Sequence, residues 1–253
     1  MSDENNSLDI LGVKPIAESI NKVTEGTVDG ASAFLSRICL PAAEEFGLLL
    51  RDKVSSWRAK NTIKILKSAQ SILEQQVGEV VLHAHPRIIY SSIENGSWCE
   101  DDFMQNFWSG LIVSSCTESG KDESNLILIH LLSQMTSSQA KLIGYICQNC
   151  DTYKSEAGWI NSLPFYMELA ELNNIMKVSD FYQIDRELDH LKSLGLIEGG
   201  FEFNHTRADV TPKALCLNLY TRCQGYIGNP CDFFQSPEMS ENQLHEAFVI
   251  MSK

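Results

Sequence analysis

The chain has 253 residues, 43% hydrophobic and 21% charged, with a net charge of -13. That composition belongs to a folded protein of one large or two small domains, and it excludes a low-complexity or fibrous chain. The acidic balance opposes non-specific nucleic-acid binding, and no apolar run reaches the roughly 18 to 20 residues that span a bilayer.

The opening MSDENNSLDI is acidic and polar, without a basic stretch leading into an apolar one. It predicts no secretory leader. Residues 1–30 read as a flexible arm with a short helix near 14–23. A helix follows over Ala31–Cys39, and Pro41 is placed to open the next at a first helical position. From Ala42 to about Gln76 the spacing predicts one long helix, bent near Gly47. Its inward residues would be Leu50, Val54, Trp57, Ile65, Leu66, Ala69, Ile72 and Leu73.

Leu82–Pro86 breaks the periodicity. Arg87–Glu94 reads as a short helix and Asn95-Gly96 as a turn. Glu100, Asp101 and Asp102 suit the positive end of the next helix, which carries Phe103, Phe107, Trp108, Leu111 and Ile112. Trp98, Phe103, Phe107 and Trp108 are expected in the core. Thr117–Asn125 is a polar loop.

The segment 125–223 forms a second set. Helices are predicted over Leu126–Met135, Ser137–Gln148 (with a serine cap), Leu163–Met176 and Ser179–Leu194. The last is capped by Ser179 or Asp180 and stopped at Gly195. Phe201–Phe203 and Ala208–Thr211 should pair as a hairpin with Asn204–Arg207 at its tip. Pro212 opens a helix running to about Cys223. Three helices, two strands and a helix make a winged-helix order. The tail, 224–253, reads as irregular with a final short helix over Glu241–Met251. The expected division is therefore a flexible arm (1–30), a helical region (31–124), a winged-helix-like domain (125–223) and a tail (224–253). The fold class is mainly α, with one small two-stranded β-hairpin.

Motifs of catalysis are lacking. The sequence contains no P-loop, GxSxG or GxGxxG. Cys147-Gln-Asn-Cys150 is a lone CxxC at a helix C-terminus, with no second ligand pair. His83 and His85 lack a third metal ligand. Asp185, Glu187 and Asp189 alternate along a helix and so face different ways. The eight cysteines read as reduced, mostly buried thiols of a cytosolic protein. The expectation is a non-enzymatic, cytoplasmic protein with no cofactor and no metal.

Two stretches bear on binding. Lys53, Lys60, Lys64 and Lys67 recur at steps of 7, 4 and 3, which puts them on one helix face, with Arg51 and Arg58 in a neighbouring row. The ordinary reading is a solvated face, or one paired with the chain's own acids. The sharper reading is a site for nucleic acid, an anionic membrane surface or an acidic partner. In a winged helix the third helix would enter the major groove and meet phosphates. Here that helix holds Arg186 and Lys192 against Asp180, Asp185, Glu187 and Asp189, and the hairpin adds only Arg207 and His205. Such a helix is repelled by DNA, which points to protein contacts instead.

The run from Leu188 through Leu194-Gly195-Leu196-Ile197-Glu198 to Val210–Leu217 is similar to winged helices. Three further stretches are Pro41–Gly47 with Trp57–Asn61 and Ile63–Leu66, Asp102–Ile112, and Leu131–Met135 before Gln139–Ile143. In this order they resemble the abortive infection alpha (Abi-alpha) family of bacterial domains, over roughly residues 40–220. The resemblance implies a setting in phage defence and supplies no catalytic residues. The leading expectation is a defence component acting through a protein partner or self-association. The alternatives are a regulator binding nucleic acid through helix 51–67 and an effector at the membrane surface.

Overall fold

The computed structural model describes residues 25–43, 56–76, 82–202, 206–240 and 243–244. Two compact units emerge. The first is Met1–Ser133 with Cys223–Gly225, and the second is Gln134–Arg222 with Tyr226–Lys253. The fold is mainly α, with only small sheets.

In the first unit, α1 (Glu25–Ile38) starts six residues earlier than the sequence predicts. It turns Val28, Ala31, Leu35 and Ile38 inward at helical spacing. Residues 40–43 are helical. The predicted bend at Gly47, the apolar positions Leu50 and Val54, and the short helix near 14–23 lie outside the described residues. Helix α2 (Ser56–Gln76) buries Ala59, Ile63, Leu66, Ala69 and Leu73. Helix α3 (Pro86–Gly96) continues through Asn95 and Gly96, where a turn was expected. Proline at its first position removes an N–H that would have no helical partner.

Helix α4 (Asp102–Ser114) is capped by Asp101, whose carboxylate accepts from the N–H groups of Phe103 and Met104, both at 3.1 Å. It packs along α2, and α3 packs against α4 and α5 (Leu126–Ser133). Two features hold α4 close. A Cβ on Gly96 would meet Ile65 and the Trp108 ring at 3.0 Å. The buried Ser109 Oγ donates to carbonyl oxygens of Gln105, at 2.8 Å, and Ile65, at 3.0 Å. Phe107 and Trp108 lie in this core as expected, but Trp98 is 55% exposed and Trp57 36%. The inward stripe of α2 runs through Ala59 and Ile63, which leaves Trp57 at its margin. Trp98 follows the end of α3 and packs at the margin of the helical interface, against Trp57 and Arg58 of α2.

The second unit opens with α6 (Ser137–Asn149). Its cap is Thr136, not a serine. Thr136 Oγ1 accepts from Gln139 N–H, and Gln139 Oε1 accepts from Thr136 N–H. A sheet that the sequence left unassigned follows. Strand β1 (Thr152–Ser155) pairs antiparallel with β2 (Ile160–Ser162) across a turn at Gly158, whose φ is +87°.

The predicted helix over Leu163–Met176 starts late. Tyr166–Glu168 is strand β3, and helix α7 covers only Leu169–Met176. Pro164 keeps the preceding residue extended, and pairing with β4 (Arg207–Asp209) holds β3 in the sheet. Helix α8 (Phe181–Ser193) is capped by Asp180 and followed by Gly195 at φ +71°.

The return hairpin starts earlier than predicted. Ile197 bridges Pro212 and Phe201 bridges Ala208, while Glu198 N–H donates to Thr211 O at 3.0 Å and Asp209 N–H to Gly200 O at 2.9 Å. Arg207 therefore stands in β4 and not at a tip, and His205 lies outside the described residues. Helix α9 (Ala214–Cys223) follows. The tail is more ordered than expected. Helix α10 (Pro230–Phe234) leads into β5 (Glu238–Met239), parallel to β1. Of the predicted last helix, residues 243–244 are described and helical.

Candidate interaction surfaces

The solvent face of α2 is a stripe of Trp57, Lys60, Lys64 and Lys67, at steps of 3, 4 and 3, all exposed. Its members differ in what they already hold. Lys64 pairs with Asp102. Arg58, beside the stripe, is consumed internally. Its guanidinium lies 4.2 Å from the centre of the Trp98 ring, donates from Nε to Ser97 Oγ at 3.0 Å, and pairs through Nη2 with Glu94 at 2.9 Å. Only 13% of its side chain is exposed. Trp57 meets Trp98 edge to face, with centroids 5.4 Å apart. Among the described residues, Lys60 and Lys67 make no ion pair. Arg51 and Lys53 lie outside them.

The face of α8 away from the core repeats the same spacing with opposite chemistry. Tyr182, Asp185, Asp189 and Lys192 stand at steps of 3, 4 and 3, with Arg186 alongside. Tyr182 is 76% exposed. Its neighbour Phe181 packs on Phe201 of the return strand, with centroids 5.0 Å apart. Asp180 cannot join this face freely, because its carboxylate accepts from Tyr182 N–H at 3.0 Å. Arg207 is also engaged, with its guanidinium 4.0 Å from the centre of the Tyr166 ring.

Glu187 is the one acid of α8 that sequence reasoning misplaced. It is buried. Its carboxylate accepts from Ser138 Oγ at 2.5 Å, Thr136 Oγ1 at 3.2 Å and Gln183 Nε2 at 2.9 Å. Gln139 Nε2 donates to the Glu187 carbonyl at 2.8 Å and lies 3.0 Å from His190 Nδ1. A carboxylate at the N-terminus of α6 also suits the helix dipole. The signal was present in the sequence: Ile184, Glu187, Leu188 and Leu191 form one helical stripe, so Glu187 shares the face of three core residues.

The remaining candidates do not converge. Cys147 is buried with its sulfur 3.7 Å from that of Cys216, while Cys150 Sγ donates to the Cys147 carbonyl at 3.9 Å. Burial pushes the Cys150 thiol up to about 11 and the Cys116 thiol to about 12. All eight cysteines are free, and most are buried. His83 pairs through its backbone with Thr117. His85 caps α3, its Nδ1 accepting from Arg87 N–H at 3.2 Å. Among the described residues, no three His, Cys, Asp or Glu side chains stand close enough to hold a metal. No helix among them is long and apolar enough to cross a membrane.

One comparison with known proteins succeeds. A family model described as abortive infection alpha matches residues 60–211, from the basic stripe of α2 through the return hairpin. No curated protein and no solved structure matches the chain. The match spans more than half of the 253 residues and runs through both surfaces, and the chain belongs to the abortive infection alpha family.

Proposed function

We propose that this protein is a cytoplasmic component of abortive-infection defence that acts through protein contacts or self-association, without catalysis of its own. Its second unit is a winged helix turned to that use. The order α6, β3, α7, α8, return strand, β4 supports the winged helix, as does the way β4 pairs with β3 on one side and the return strand on the other. The defence setting rests on the family.

The observation that carries the mode of action is the outer face of α8. A helix that reads DNA offers cations to phosphates, which supply most of the sequence-independent affinity. Here Asp185 adjoins Arg186, Asp189 stands between Arg186 and Lys192, and the leading residue is an exposed tyrosine. Exposed Tyr, Trp and Arg are the residue types that dominate protein interfaces. The α2 face is a weaker nucleic-acid candidate than its sequence suggests, because Arg58 and Lys64 are spent on Glu94 and Asp102.

The test is phage challenge of cells expressing the chain with its native neighbours. Protection, measured as plating efficiency and survival of infected cultures, should fall with Y182S/D189K while R186A, which removes a cation beside the stripe, retains it. No protection against any of a broad phage panel would remove the support for this reading.

A further inference from the structure

The outward stripes of α2 and α8 are complementary, Asp185 being half-buried and the other members exposed. On α2 the order is Trp57, Lys60, Lys64, Lys67. On α8 it is Tyr182, Asp185, Asp189, Lys192. Both advance by 3, 4 and 3 residues, so each forms a straight stripe along its helix. Laid antiparallel, the stripes match at every position. Lys60 meets Asp189, and Lys64, which Asp102 of its own chain already engages, faces Asp185. Lys67 reaches the ring of Tyr182, and Lys192 reaches the ring of Trp57. Laid parallel, they would set Lys67 against Lys192. Lys60, Lys67, Asp185 and Asp189 form no ion pair among the described residues, so these charges are available.

We infer that copies of this chain associate head to tail, the basic α2 stripe of one copy receiving the acidic α8 stripe of the next in antiparallel register. This rests on the protein-contact reading and names the partner as a second copy. The two patches differ, so the contact is heterologous. Each copy keeps one free face, and assembly proceeds to an open chain or a closed ring. Exposed charge pairs are screened by salt, so assembly should dissolve as ionic strength rises.

Sedimentation velocity on the full chain tests this. The native protein should gain mass with concentration at low salt and lose it at high salt. K60E and D189K should each weaken association about tenfold, since each turns an exposed attraction into a repulsion. The double variant K60E/D189K restores the pair with its charges exchanged and should recover association, which neither misfolding nor a general loss of charge would produce. Mixing K60A/K67A with D185N/D189N leaves one native α2 face and one native α8 face, the other two being stripped of their pairing charges, and should give a 1:1 dimer that grows no further. A native chain that stays monomeric at every concentration in low salt overturns the inference, as does assembly that ignores both reversals. In either case the protein-contact reading stands or falls separately, on phage challenge and DNA binding.

Discussion

Glu187 is the residue on which the second unit turns. Its carboxylate satisfies the hydroxyls at the start of α6 and the amide of Gln183, while Gln139 holds its carbonyl. Glu187→Ala should therefore lower stability by about 1–2 kcal/mol, since it removes hydrogen bonds to a charged group from partly exposed donors that water can satisfy. Urea unfolding followed by circular dichroism would measure the loss. Gly110 plays a comparable role in the first unit. A Cβ there would lie 1.8 Å from the Cys223 carbonyl oxygen. Backbone cannot swing aside as a side chain does, so Gly110→Ala should cost about 2–4 kcal/mol, against near neutrality for a change at an exposed helix position. Neither role shows in the residue's identity. Glu187 looked like a surface acid because charge was counted before helical phase, and the Gly110 contact is made by a residue more than a hundred positions away.

The helices were legible where an apolar stripe coincided with a cap or a breaker. Asp101, Pro86 and Asp180 mark the starts of α4, α3 and α8 within a residue or two. The strands were not. β1, β2 and β5 are two to four residues long, too short to show alternation, and β3 is extended because a partner forty residues on pairs with it. The basic stripe was legible as a stripe but not as a set of unequal members, because the acids that engage it come from α3 and α4. That inequality is testable. Arg58→Ala removes a stacked, paired and mostly buried cation and should cost about 1–2 kcal/mol. K60E/K67E changes only exposed positions and should stay within about 0.5 kcal/mol of the native chain.

Burial holds the Cys39, Cys99, Cys116 and Cys150 thiols protonated beyond the usual range, which shapes the response to pH. Below about pH 9, folded and unfolded chains carry the same protonated thiols. Above it, the unfolded chain loses protons that Cys150 retains to about 11 and Cys116 to about 12. The contribution of these thiols to stability should therefore be constant through neutral pH and decline from about pH 9 upward, as linkage requires when the folded state binds more protons. Thermal unfolding between pH 7 and 10.5 would show the decline, and alkylation of the native chain at pH 8 should be far slower than that of the unfolded chain.

The central claim is that α8 meets protein and not the phosphates of a duplex. Anisotropy of labelled duplex DNA at low salt tests it most directly, with the native chain beside R186E/K192E and K60E/K67E. The account predicts that R186E/K192E leaves the signal unchanged, whatever weak, salt-sensitive binding K60E/K67E removes. Tight binding lost in R186E/K192E would place α8 in the groove and contradict it.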